Sequence, residues 1–527
     1  MITNDWGIPG EQELEALANS LFPDLDPVRC AEGTERLAES GDTSVIYEAA
    51  AKAENYYNGF GGGYFSEYEK LAAELTNGAA GHESAPAQAS GYSPAVMSEA
   101  QAAGYTPKSL AAAAAPVSAG NNVVVGTKTL EQIRADFPIL KEVINGHPLV
   151  WLDNGATTQR PQAVIDRLSY YYTHENSNVH RGAHELAARS TDAYENARQI
   201  TADFIGAPSK DNIVFVRGTT EGINLVANAY VKPLLQPGDE IILSILEHHA
   251  NIVPWQLVAQ ETGAVLKVIP CDESGQLILS EYEKLFTRRT KFVSVTQVSN
   301  VLGTVTPVAE LIAGAHAHGV PILVDGAQSA AHIPVNVSAL DADFFVFSGH
   351  KIFAPTGIGA LYGKSELLEA ARPYHGGGNM IKDVTFERTI YNPAPNKFEA
   401  GTGSIADAVG LGAALEYLNA IGMPSVNKHE HELLVYAMSE MRKIPGLHLI
   451  GTASEKASVL SFVLDGYSND AVGARLNELG IAVRTGHHCA QPVLRRFGLE
   501  GTVRPTLALY NSFEDIDALV KGIRTLA

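Results

Sequence analysis

Four apolar residues, Phe344, Phe345, Val346 and Phe347, run directly into Ser348, Gly349, His350 and Lys351. Phe353, Ala354, Pro355, Thr356 and Gly357 follow. This pattern predicts a buried strand that delivers a lysine to a turn. At the rim of a buried site the amine is desolvated, which lowers its pKa and frees it to act as nucleophile or base. Upstream, Pro321, Ile322, Leu323 and Val324 end in Asp325, Gly326, Ala327 and Gln328. Two strands that each present a polar group at the carboxyl end suit pyridoxal phosphate. The lysine condenses with its aldehyde, and the aspartate holds its pyridinium nitrogen. A lone Ser-x-His-Lys is more often a surface lysine after a strand; the Asp-x-x-Gln partner shifts the balance.

A second cluster is Arg484, Thr485, Gly486, His487, His488, Cys489 and Ala490. A thiol flanked by an arginine and two histidines sits in an electropositive patch, which favours thiolate. The glycine turn and polar neighbours argue for exposure. Arg504 lies fifteen residues further on. Its guanidinium suits bidentate recognition of a carboxylate; a surface ion pair is the plainer reading. Ile213 to Val216 leads into Gly218, Thr219 and Thr220 and a helix start, which could bind an anion through free amides and the Thr220 hydroxyl. An ordinary capped helix fits the same residues. His248 follows another strand, where an imidazole could stack on a flat cofactor and carry protons near neutral pH. Residues 178–184, with His180, are dense in polar groups. Cys30 and Cys271 read as bystanders.

The elements that must position these groups alternate. Residues 129–137 predict a short helix capped by Thr129 and stopped by Pro138, and residues 148–152 a strand running into a polar turn. A helix with Tyr194, Ala197, Ile200 and Phe204 on one side precedes strand patterns over 213–216, 240–246, 265–269, 292–298, 321–324 and 344–347. That rhythm implies an α/β fold with a mostly parallel sheet and helices on both faces. Ligands of such sheets sit beyond the carboxyl ends of the strands, where Thr220, His248, Asn300, Asp325 and Lys351 fall. Residues 405–421 read as a helix and 458–464 and 481–483 as strands, in a smaller α+β domain. The expected division is an extension over 1–125, a large domain over 126–400 and a small one over 401–527. The first part of the large domain, 126–150, could pack with the small one.

Composition narrows the partners. With 38 basic and 59 acidic residues the chain carries a net charge of −21, which argues against nucleic acid held on a broad basic face. Three cysteines form neither a disulfide framework nor a zinc spacing, so no metal is expected and a reducing cytoplasm fits. No apolar run approaches the ~18–20 residues of a membrane span, and no secretory signal is visible. Residues 1–125 hold 17 acidic against five basic side chains. Leu14, Leu17, Ala18 and Leu21 recur at helical spacing, and an aromatic–glycine patch covers 56–65. Alanine, serine, glycine and proline dominate up to about residue 122, a composition expected to be largely disordered. Within it Gly91, Tyr92, Ser93 and Pro94 recur as Gly104, Tyr105, Thr106 and Pro107. Two short aromatic motifs on a tether suit docking to a partner; a plain linker with chance similarity is the alternative.

Taken together, N-V-H-R-G-A-H, F-V-R-G-T-T-E-G-I-N-L-V-A, E-H-H-A-N-I-V-P-W, D-G-A-Q-S, F-S-G-H-K, F-E-A-G-T and R-T-G-H-H-C-A-Q-P resemble the SufS-type cysteine desulfurases of the class V aminotransferase superfamily, fold-type I enzymes of pyridoxal phosphate. The resemblance covers about residues 127–527. It implies that Lys351 carries the cofactor, Asp325 pairs with its ring nitrogen, Gln328 bonds its phenolic oxygen and His248 stacks on its ring. It also implies that Thr219, Thr220, Ser348 and His350 hold the phosphate beside Asn300. Thr402 would reach the neighbouring subunit's phosphate in a homodimer. Cys489 becomes the catalytic thiol beside Lys351 and His248, and Arg504 takes the substrate carboxylate with Arg484, His180 and Asn300 nearby. The implied reaction turns L-cysteine into L-alanine through a Cys489 persulfide whose sulfur passes to a thiol acceptor. Selenocysteine lyase is the runner-up; an aminotransferase would leave the Cys489 loop without purpose. One departure is Gly403-Ser404-Ile405, where relatives usually carry Pro-Asn. The extension over 1–125 resembles that of desulfurases carried as cargo by family 2 encapsulins, which implies docking to a protein shell. A tail that binds a sulfur acceptor or scaffold, or a passive solubility tail, would carry the same composition.

Overall fold

A computed structural model describes residues 123–180 and 184–527. The expected helix over 11–22, the aromatic–glycine patch, the repeated Gly-Tyr motifs, Cys30 and residues 181–183 lie outside the described residues. All of the described residues fall in one compact unit.

Seven strands build the central sheet: Ile213–Val216 (β1), Glu240–Ser244 (β2), Val265–Ile269 (β3), Thr290–Thr296 (β4), Ile322–Asp325 (β5), Phe344–Ser348 (β6) and Gly359–Gly363 (β7). Their order across the sheet is β1-β7-β6-β5-β4-β2-β3. Neighbours pair in parallel except β7, which is antiparallel to β6 and β1. Alternation decides which face each side chain serves. Ile213, Phe215, Ile242, Val293, Val295, Ile322, Val324, Phe345 and Phe347 belong to one core. Val214, Val216, Ile241, Leu243, Phe292, Leu323, Phe344, Val346 and Leu361 belong to the other. Both faces are therefore covered, which is why these strands read as unbroken apolar runs.

The helix Glu185–Phe204 (α1) carries Tyr194 and Ala197 into the first core and packs on Ile405–Ile421 (α4), whose bounds match the expected helix. Thr219–Leu225 (α2) and Val253–Thr262 (α3) cover the other face. The short helix Leu130–Ala135 is capped by Thr129 through a capping box with Gln132.

A second sheet follows, with strands Leu447–Leu449 (β8), Phe462–Leu464 (β9), Arg484–Gly486 (β10) and Thr502–Arg504 (β11) in the order β8-β9-β11-β10. The helices Met423–Met441 (α5), Asn469–Glu478 (α6) and Phe513–Arg524 (α7) contribute to its apolar core. Val150–Trp151 pairs in parallel with Ile481–Ala482, and Leu152 joins that core. The strand expected over 458–464 is confined to its last three residues, and those expected over 292–298 and 240–246 end two residues earlier than the apolar pattern does.

Candidate active site

Four strand ends of the central sheet place the chemistry. β6 stops at Ser348, and the turn Gly349–Lys351 presents Lys351. The turn is fixed from outside: the His350 carbonyl accepts hydrogen bonds from Thr157 Oγ1 and the Thr158 amide, both at 3.0 Å. Phe353, at φ +64°, donates its amide to Thr158 Oγ1 at 2.7 Å. Lys351 is brought down to about 8 by burial of its amine, opposed by Asp325.

Asp325 ends β5 and is almost fully buried. Its Oδ1 accepts the Ala327 amide at 2.8 Å. Burial raises its pKa, against the pull of that amide and of Lys351. Gly326 has to be glycine: a Cβ there would lie 2.1 Å from the Phe345 ring. Gln328 is buried and donates Nε2 to the Gly155 carbonyl at 2.7 Å. At the start of α2 the Thr219 amide donates to Ser348 Oγ at 2.8 Å, and the Ser348 hydroxyl donates to Thr219 Oγ1 at 2.9 Å, while Thr220 is exposed beside them.

His248 follows β2, and its Nδ1 accepts the Ala250 amide at 3.0 Å, so a neutral ring carries its proton on Nε2. Burial, with Lys351, His249 and Arg504 as positive neighbours, takes its pKa down to about 3. Burial thus favours the uncharged imidazole. His350 is lowered to about 4, again chiefly by burial.

The Cys489 loop closes over these groups from the second sheet. Cys489 is half-buried. His488 and Cys489 both have left-handed backbones, at φ +51° and +54°. Such a pair is held only by its surroundings. The Cys489 amide donates to His487 Nδ1 at 3.0 Å, and its carbonyl accepts the His249 amide at 2.8 Å. His488 Nε2 lies 3.0 Å from Thr502 Oγ1, and the His488 carbonyl accepts Asn300 Nδ2 at 2.6 Å. Arg504 is buried and donates Nη1 to the Asn300 carbonyl at 2.9 Å. Asn300 thus bonds both the loop that carries Cys489 and Arg504, and the His249 amide ties that loop to the turn that carries His248.

Two expected groups lie apart from these contacts. His180, at φ +60°, bonds Glu195 at 3.1 Å and Asn379 at 3.4 Å, and Glu195 raises its pKa. Thr402 is exposed and accepts Asn178 Nδ2 at 3.3 Å. Arg484 reaches Asp153 rather than open space, with Nη2 to Oδ2 at 3.0 Å. Sequence patterns assigned no role to Asp153, Thr157, Thr158 or Glu247. The unmatched arginines at 484 and 504 are the signal that calls for a counter-charge such as Asp153. Nothing local marks Glu247, which is fully buried, bonded by Asn251 and the Thr296 amide, and pushed up to about 8 by burial.

The residues fit pyridoxal phosphate. Among the described residues no cation pairs with the buried Asp325 carboxyl, and a pyridinium N–H would supply one. Asn300 Oδ1 and Arg504 Nε are buried without hydrogen-bond partners, as a site awaiting a polar ligand requires.

The sequence profile of the aminotransferase class-V family matches residues 150–519. A cysteine desulfurase of Synechococcus elongatus is 63% identical over 397 residues, which are 75% of this chain and 63% of that protein. The chain thus spans under two thirds of that relative's length. One of Dickeya dadantii is 50% identical over 398 residues and is covered over 96% of its length. Among solved structures, a cysteine desulfurase of Escherichia coli in an S-sulfonic acid form superposes with a TM-score of 0.71 at 42% identity, covering 76% of this chain and 98% of that one. The apo cysteine desulfurase of Thermococcus onnurineus gives 0.72 at 38% identity, covering 75% and 97%. The architecture is that of fold-type I enzymes.

Proposed function

The chain belongs to the aminotransferase class-V family, and from that premise we propose that it is a pyridoxal-phosphate-dependent cysteine desulfurase. The observation that carries this reading is the Cys489 loop tied through Asn300 to Arg504 and through the His249 amide to the turn behind His248, at the sheet end that presents Lys351. An aminotransferase needs the amine and the guanidinium but has no use for a strained thiol loop over them.

Pyridoxal phosphate, when bound, supplies an aldehyde for amines and a ring that absorbs negative charge from Cα. Ser348, Thr219, Thr220 and His350 would hold its phosphate, Asp325 its ring nitrogen and Gln328 its phenolic oxygen. Neutral His248 offers a flat ring for stacking without adding charge. Arg504, with an unpartnered Nε, takes the substrate carboxylate. Lys351 moves the Cα proton, a role suited to an amine lowered to about 8. Cys489 Sγ, as thiolate, attacks the substrate sulfur. The S–S bond forms as Cβ–S breaks, and the bonding pair leaves with Cβ. The carbon skeleton takes up protons and departs as alanine, and Cys489 keeps a persulfide for a thiol acceptor.

Cys489→Ala is expected to retain the visible absorbance of the bound cofactor and to lose alanine formation from L-cysteine by about two orders of magnitude or more. Normal turnover by that variant contradicts the reading. Selenocysteine as preferred substrate is the alternative, decided by alanine yields from the two amino acids.

The finer readings concern assembly. The exposed Thr402 supports a homodimer in which it reaches the neighbouring phosphate. Composition and the repeated Gly-Tyr motifs support residues 1–125 as a docking tail for an encapsulin shell in the cytoplasm, and a tail for a sulfur acceptor or scaffold is the alternative. Among the described residues no helix is long and apolar enough to cross a membrane. Co-expression of full-length and 126–527 chains with a shell protein tests the tail; equal loading of both rejects it.

A further inference from the structure

The turn that carries His248 is bolted to the central sheet through buried side chains. Glu247, the residue before it, is fully buried. Its Oε1 accepts the Thr296 amide at 2.9 Å and the Ser244 hydroxyl, and its Oε2 accepts Asn251 Nδ2 at 2.6 Å. Asn251 Oδ1 in turn accepts Trp255 Nε1 at 2.9 Å and the Ser294 hydroxyl at 2.6 Å. An indole N–H can only donate, so Trp255 fixes which end of the Asn251 amide faces Glu247. Every member of this network is buried.

The bolt joins two groups that would face the cofactor ring. Thr296 ends β4, Asp325 ends β5, and the two are paired in register. The His248 carbonyl accepts the Asn251 amide at 2.7 Å, and its Nδ1 accepts the Ala250 amide at 3.0 Å. Imidazole and turn therefore move as one piece. Glu247 and Asn251 tie that piece to β4 at the Thr296 amide and the Ser294 hydroxyl. The neighbours of Glu247 all donate to it, so the seat calls for an acceptor on both oxygens. A glutamine has one acceptor oxygen, and would leave either the Thr296 amide or Asn251 Nδ2 facing another donor.

We propose that Glu247 is a positioning residue for the cofactor: together with Asn251 it fixes the His248 imidazole relative to the strand end that presents Asp325, and so sets the height of the imidazole over a ring whose nitrogen Asp325 holds. A fully satisfied buried network specifies one arrangement, and a partly satisfied one releases it. A loosened turn lets the imidazole tilt. The ring is then gripped less tightly and sits in a less asymmetric setting. This inference rests on the reading of His248 and Asp325 as the residues that face the ring.

The test is a mutant cycle on full-length chains reconstituted with pyridoxal phosphate. It is read by the cofactor's visible circular dichroism and its dissociation constant, neither of which needs turnover. Glu247→Gln is expected to weaken cofactor binding by about tenfold and to reduce the dichroism. Adding Asn251→Asp gives the new amide an acceptor where it met a donor, and is expected to restore both readings. In a His248→Ala background Glu247→Gln should add less than about twofold, because its effect runs through the imidazole. Wild-type readings in Glu247→Gln, an equal loss in both backgrounds, or no recovery on adding Asn251→Asp overturns the proposal. If Glu247→Gln does not fold, Ser244→Ala, which removes one of the donors to Glu247, goes through the same cycle. A loss of about threefold that vanishes in the His248→Ala background supports the proposal; no loss, or an equal loss in both backgrounds, overturns it. Wild-type readings in His248→Ala alone would sink the reading of His248 as the stacking residue, and this inference with it. Altered readings there beside wild-type ones in Glu247→Gln sink this inference alone.

Discussion

The amine of Lys351 and the thiol of Cys489 are prepared in different ways. Lys351 is tuned by burial among charges: removal from water lowers it, and Asp325 limits the fall. Cys489 is positioned by backbone, in a left-handed pair of residues that His487, His249, Asn300 and Thr502 hold in place. The first device yields a prediction with a definite sign. Only the neutral amine captures an aldehyde, and a lowered pKa makes that form abundant at lower pH. The rate at which apoenzyme takes up pyridoxal phosphate should therefore rise with pH and level off above about 8. Rapid-mixing absorbance measurements check this, and a rate still climbing towards the ordinary lysine range contradicts it. Lys351, Asp325 and Cys489 were all legible in the sequence because each follows a strand or sits in a polar turn. Asp153 was not, since its partners lie more than 300 residues away and meet it only through the pairing of β10 with β11.

At the scale of elements, alternating apolar runs located every strand of the central sheet but one. The exception, β7, reads as Gly-Ala-Leu-Tyr-Gly, too short and glycine-rich to stand out. It returns antiparallel because only ten residues separate Ser348 from Gly359, fewer than a parallel crossover needs. Contacts between lobes were equally invisible. His332, four residues past Gln328, bonds Glu430 of α5 at 2.8 Å, and the Ser458 hydroxyl donates to the same carboxylate at 2.6 Å. All three are buried; both bonds reach Glu430 Oε2, and Oε1 is buried without a partner. Removing one member strands the others in a low-dielectric interior. Glu430→Ala is expected to cost about 3–5 kcal/mol of unfolding free energy, and Glu430→Gln less. Denaturant unfolding of both variants measures it; a loss below about 1 kcal/mol for the alanine variant would show that the cluster holds nothing together.

For the molecule as a whole, charge is unevenly spread. Residues 1–125 carry 17 acidic and five basic side chains of the chain's 59 and 38, so the segment is electrostatically unlike the catalytic unit, and a docking role for it is testable by deletion. The dimer proposed from Thr402 has its own consequence. Thr402→Ala and Lys351→Ala should each be nearly inactive alone. Mixed and re-equilibrated, they form hybrids with one intact site, restoring about a quarter of wild-type activity per subunit at best. No recovery on mixing contradicts a site shared between subunits. Thr402 was legible only through family resemblance, because within one chain its contact is with Asn178.

The most direct measurement is to treat the holoenzyme with L-cysteine in the absence of any acceptor thiol, trap surface sulfur with an alkylating reagent, and map the peptides by mass spectrometry. One extra sulfur on Cys489, matched by one alanine released per subunit and absent from the Cys271 peptide, is the result expected here. Alanine released in that amount with Cys489 unmodified, or the extra sulfur found on another residue, would contradict the central claim.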